Sequence, residues 1–132
     1  MQALKNLFEN YMISAPEDEG LFTMFAHDVD RFSLWHLRIL SLLGDPRKWA
    51  ETKGVNLPEW SFGSAANLLE YSYTEMEGAR DFYDPIVRDL FLAGLLSTDN
   101  LHRTVPFIQL FDPLTTPMGN LFIRLTRLSE AI

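Results

Sequence analysis

Residues 88–99 read RDLFLAGLLSTD: the end of a helix, a glycine stop at Gly94, then two leucines entering an extended segment. A glycine after the last periodic residue is the usual left-handed helix cap. What precedes and follows this stretch decides the fold. Upstream, residues 79–93 carry helical spacing, with Pro85 inside it. Proline removes one backbone bond and should kink a helix there. A kinked continuous helix is preferred over a restart at Asp84-Pro85. Downstream, Leu95–Thr98 reads as a short strand, Leu101–Phe111 as a β-excursion broken by Pro106, and Asp112–Thr115 as a returning strand. Thr116-Pro117 then caps a closing helix, Met118–Glu130, with Met118, Leu121, Phe122, Leu125 and Leu128 inward.

Further upstream the same signals recur. Leu4, Leu7, Phe8, Tyr11 and Met12 form one helical stripe, and Leu21, Phe22, Phe25, Val29 and Phe32 a second. Ser33 caps a third helix, Leu34–Leu43, apolar almost all round and therefore central. Asp45-Pro46 opens a short helix that stops at Gly54. Val55–Gly63 is extended, and Ser64 caps a helix over Ala65–Tyr73. A turn at Glu75–Gly78 leads back to the opening helix. The expected fold is mainly α with a small β-wing: a winged helix-turn-helix preceded by extra N-terminal helices. The chain is read as one domain, with residues 1–32 as a helical extension and 33–132 as the winged-helix core.

Three stretches also carry a resemblance: FSLWHLRILSLLGDPRKW (32–49), NLLEYSYTEMEGARDFYDPIVRDLFLAGLL (67–96) and LTTPMGNLFIRL (114–125). Together they resemble the winged-helix C-terminal domain of a group of uncharacterised bacterial proteins, over roughly residues 21–128. Ser33-Leu34-Trp35-His36 and Asp45-Pro46 match that group's pattern, and Pro85 departs from it. The resemblance implies the fold, with no catalytic residues to carry over. It also implies that residues 1–13 would be the tail of a longer helical region.

The chain has no cysteine, which excludes disulfides and thiolate chemistry. No apolar run reaches the ~20 residues that span a bilayer, and residues 1–12 show no basic n-region followed by an apolar block, so no secretory signal is expected. A cytoplasmic protein without a membrane partner is expected.

Net charge is −7, and its distribution matters for function. Residues 1–30 are net −5, 31–60 net +2, 61–98 net −4, and 99–132 neutral. A duplex reader places a basic stripe on its reading face. Here the expected reading helix offers Arg80 and Arg88 against Asp81, Asp84 and Asp89, while Phe82, Tyr83, Ile86 and Val87 are assigned mostly to the core. The remaining candidate nucleic-acid contacts are Arg47, Lys48, Lys53 and Arg103. The wing is instead apolar: Val105, Phe107, Ile108, Leu110 and Phe111. Such a surface needs its own domain or a partner to cover it. With Leu4, Phe8 and Tyr11 of the first helix, these residues form the candidate interaction surface.

The expected function is therefore a non-enzymatic module for protein association, through homodimerisation or another protein partner. A DNA-binding transcriptional regulator is the alternative, disfavoured by the acidic charge. His27 among acids matches no metal-ligand pattern. His36 reads as a helix-start residue, and His102 as an exposed wing residue. Ser64 is explained as a cap, and the glycines stand singly rather than in a phosphate loop. Trp35, Trp49 and Trp60 are assigned to the core, with a surface groove as the alternative for Trp60 because it stands in a Pro-containing loop. No catalytic, metal or cofactor residues are assigned.

Overall fold

A computed structural model describes Lys5, Asn6, residues 19–128 and Ile132. In chain order its elements are α1 (Glu19–Arg31), α2 (Leu34–Gly44), α3 (Pro46–Lys53), β1 (Phe62–Ser64), α4 (Ala65–Ser72), a 3-10 turn (Thr74–Met76), α5 (Arg80–Leu92), β2 (Thr104–Pro106), the single turn α6 (Phe107–Leu110) and α7 (Pro117–Thr126). The chain is mainly helical, with one two-stranded antiparallel sheet among the described residues.

Local chemistry fixes the helix starts. Ser33 and His36 form a reciprocal capping box at α2, and Ser64 and Asn67 form another at α4, both bonds of the latter at 3.0 Å. Asp45 accepts Lys48 N–H at 3.1 Å, and Pro46 takes the first position of α3. Thr116 Oγ1 accepts Gly119 N–H at 2.9 Å and donates to the Gly94 carbonyl at 2.6 Å, so one hydroxyl caps α7 and ties it to the end of α5. Gly94 has φ +79°, the left-handed geometry expected of it. The helix through Pro85 is continuous.

The core is built around α2, whose Leu37, Ile39, Leu40, Leu42 and Leu43 are all buried. Phe25 of α1 meets Phe122 of α7 edge-on at 5.1 Å, and both are fully buried. Each such ring contributes roughly 1.5–3 kcal/mol by leaving water. Tyr83, Ile86, Val87 and Leu90 bury the inner face of α5. Trp49 Nε1 donates to Tyr73 OH at 3.1 Å, closing the core beside α3. The second predicted stripe thus folds back onto its own domain through Phe25, Val29 and Phe32. Of the first predicted helix, only Lys5 and Asn6 are described. Asn6 is buried, donates to the Thr126 carbonyl at 2.8 Å, and accepts from Arg127.

The β-excursion differs from expectation. Leu95–Thr98 and Asp112–Thr115 do not form a strand pair; they meet in one bridge, Leu96 to Thr115, with Ser97 N–H on Leu114 O at 2.8 Å. Thr104–Pro106 pairs with β1, in the register Phe62 to Pro106, Gly63 to Val105 and Ser64 to Thr104. The physical reason is apolar burial. Leu110 and Phe111 pack with Leu68 into a second small core, flanked by Leu57, Trp60 and Val105. α7 ends at Thr126, where Arg127 takes a left-handed conformation at φ +48°, and the end of the predicted helix at residues 129–130 lies outside the described residues.

Candidate interaction surface

The excursion sorts its apolar residues by where the small sheet puts them. Leu110 and Phe111 were expected on an accessible surface, but burial in the second core removes both from it. Val105 is half-buried against the same cluster. Phe107 stays exposed, and Ile108 is 80% exposed. The pairing of β1 with β2 adds to them. Phe62, 68% exposed, lies opposite Pro106, and Phe107 N–H donates to Ser61 O at 3.0 Å. Phe62, Pro106, Phe107 and Ile108 are therefore neighbours where β1 meets β2 and the turn that follows it. Phe62 carried no functional reading in the sequence. In β1 it is exposed while Gly63 and Ser64 are buried. Leu4, Phe8 and Tyr11 lie outside the described residues.

A second exposed apolar line runs along α5. Phe82 was assigned to the core, but it is 50% exposed, and Leu92 is 69% exposed. Tyr83, Ile86, Val87 and Leu90 already complete an i, i+3, i+4, i+7 inner face, so Phe82 is rotated off it. Phe82, Pro85, Asp89 and Leu92 follow one another on the outside at spacings of three, four and three.

Two acids of α5, Asp84 and Asp89, are tied to histidines. His36 Nε2 lies 2.8 Å from Asp89, and His36 Nδ1 lies 2.7 Å from Ser33 Oγ. Serine, imidazole and carboxylate in a row invite comparison with a hydrolytic relay. The local bonds explain the row without one. Ser33 Oγ accepts His36 N–H as the helix cap, and His36 Nδ1 accepts Ser33 N–H at 3.2 Å. Nε2 is then the donor to Asp89. The row is a capping box extended by one carboxylate, and it ties the start of α2 to α5. His36 therefore serves the helix start, as its sequence position suggested.

His102 was placed on an exposed wing; it is instead half-buried, with its ring stacked on Tyr83 and its Nε2 2.8 Å from Asp84. Asp84 also accepts from Arg80 Nε at 3.1 Å.

The six candidate nucleic-acid contacts go to different places. Arg47 lies over the Phe111 ring at 4.7 Å, Lys48 lines a cleft with Arg124 and Arg127, and Lys53 Nζ donates to the Ile132 carbonyl. Arg80 is held by Asp84, Arg88 lies on the outward face of α5, and Arg103 lines a cleft with Asp112.

Glu70 of α4 is held differently from the α5 acids. It accepts Gly78 N–H and Tyr83 O–H, both at 2.7 Å, and these bonds hold its carboxyl below the usual range. Burial pushes the Tyr83 phenol well above its ordinary value, so it stays a donor. Burial also raises Asp28, against the opposing charges of Arg31 and His27.

Among the described residues, no three histidine or acidic side chains gather as metal ligands, and no helix is long and apolar enough to cross a membrane. Comparison with protein-family models, characterised proteins and solved structures returns no match to this chain.

Proposed function

We propose that this chain is a non-enzymatic protein-association module on a modified winged-helix plan, and that its simplest partner is a second copy of itself. The observation that carries this reading is the exposed cluster Phe62, Pro106, Phe107 and Ile108 at the sheet end. Large apolar side chains gathered at one place on a surface mark contact sites, and a two-fold dimer is the commonest way to cover one. For the winged-helix plan, α4, the 3-10 turn and α5 stand in the order of a helix-turn-helix. The Leu96–Thr115 bridge stands where a wing begins and ends. Thr104–Pro106 of the expected wing pairs with β1.

DNA reading is the weaker alternative. The outward face of α5 would have to enter the groove, and it carries Asp81, Phe82, Pro85, Asp89 and Leu92 around Arg88. Base readout depends mainly on arginine, asparagine and glutamine, and affinity on phosphate neutralisation. Arg88 and Arg103 are slender material for either.

Light scattering across a concentration series tests the preferred reading. The mass is expected to rise from 15.2 kDa toward twice that value. A mass fixed at 15.2 kDa up to high concentration would remove self-association.

A further inference from the structure

Next to the exposed cluster lies an open groove of about 630 Å³, walled by Trp60, Phe62 and Tyr71 and edged by Glu70 and Glu77. We propose that this groove receives a lysine or arginine side chain from a partner polypeptide, with its cation held between the aromatic faces and the two carboxylates. The proposal rests on the reading of the chain as a protein-association module, and it names the chemistry of a partner.

The aromatic walls are set for a cation. Trp60 and Tyr71 meet edge to face at 5.6 Å and 81°, so their planes form a corner. Tyr71 OH donates to the Asn56 carbonyl at 2.8 Å, which pins one side of that corner. Phe62 adds a third, solvent-exposed ring. Ring faces attract a positive charge through their quadrupole.

The charged side chains that line the groove, Glu70 and Glu77, are both acidic. Residues 54–79 contain Glu59, Glu70, Glu75 and Glu77 and no lysine or arginine. The two donors to Glu70, an amide and a phenol, are both neutral and hold its carboxyl below the usual range. Each of its oxygens uses one lone pair there and retains another. Such a rim repels phosphate and favours an ammonium or guanidinium group. Phe62 belongs both to the groove and to the exposed apolar cluster, so a cation entering from that side can arrive with its chain attached.

The test is NMR on the full chain, read at the Trp60 indole N–H and assigned with Trp60→Phe. It is run in Ile108→Asp, so that a second copy does not cover Phe62. The probes are a short blocked peptide with one lysine, the same peptide with that lysine acetylated, and choline. The lysine peptide is expected to shift the indole saturably and to bind about tenfold more tightly than its acetylated twin. Glu77→Gln should weaken it, and added salt should weaken it further. Equal response to the two peptides, or none in a folded chain, overturns the proposal. Choline binding as tightly as the peptide overturns the assignment to a polypeptide partner. Self-association of the wild type is measured separately. A chain that dimerises without binding lysine loses only the groove, and a monomer that binds lysine keeps it.

Discussion

Gly119 sits against the backbone of Leu95 so closely that a β-carbon on it would lie 2.1 Å from the Leu95 carbonyl oxygen. The neighbour is main chain, held in place by its own bonds: Leu95 N–H donates to Leu90 O at 3.0 Å, and Leu95 O accepts Thr116 N–H at 3.1 Å. It has little room to retreat. Gly119→Ala is therefore expected to cost roughly 3 kcal/mol, the upper end of overpacking. Urea denaturation measures this, and a loss below about 1 kcal/mol would show that α7 can shift.

Phe111 and Ile108 separate folding from association. Phe111 is buried beside Leu68 and Leu110, so Phe111→Ala should cost about 3–5 kcal/mol. Ile108→Ala, at an exposed site, should change stability by no more than about 0.5 kcal/mol. Denaturation at a concentration where the chain is monomeric tests both. Comparable losses would mean that the excursion packs differently.

Much of the fold was legible because short-range chemistry wrote it. Ser33, Asp45, Ser64 and Thr116 are caps whose partners lie three residues away, and Gly94 is a stop that needs only its own φ. The inner face of α5 follows from its spacing. The excursion was not legible in the same way. Thr104–Pro106 pairs with a strand some 40 residues earlier in the chain, and no local signal carries that information. Apolar content said that Val105 to Phe111 had to be covered; it could not say which of these residues the chain itself covers. The histidine partners Asp84 and Asp89 were equally invisible, since His102 and His36 reach them from other elements.

Glu70 and Asp28 should respond to pH with opposite signs. The folded-state pKa of Glu70 is lowered, first by Gly78 N–H and then by Tyr83 O–H. Its contribution is fully present above the ordinary value of 4.5 and is lost as pH falls through the folded value. Glu70→Gln should therefore be less stable than wild type at neutral pH, with the gap closing on acidification. The folded-state pKa of Asp28 is raised by burial, so its contribution is present in acid and lost as pH rises. Asp28→Asn should gain on wild type between acid and neutral pH. Urea midpoints across that range check both, and gaps independent of pH would contradict the assignment.

The charge layout makes a prediction for nucleic acid. A labelled duplex titrated at low salt should show no saturable binding, because Asp81 and Asp89 flank Arg88 on the outward face of α5. Binding that weakens steeply with added salt is the signature of phosphate contacts. Finding it would favour the DNA-reading alternative.

Sedimentation velocity of wild type and Ile108→Asp, side by side at one concentration, tests the central claim most directly. The account predicts a wild type heavier than 15.2 kDa and a folded variant at 15.2 kDa, because a carboxylate at an apolar contact must be dehydrated without a partner. Identical sedimentation of the two proteins would contradict it and would take the Phe107–Ile108 surface out of the interface.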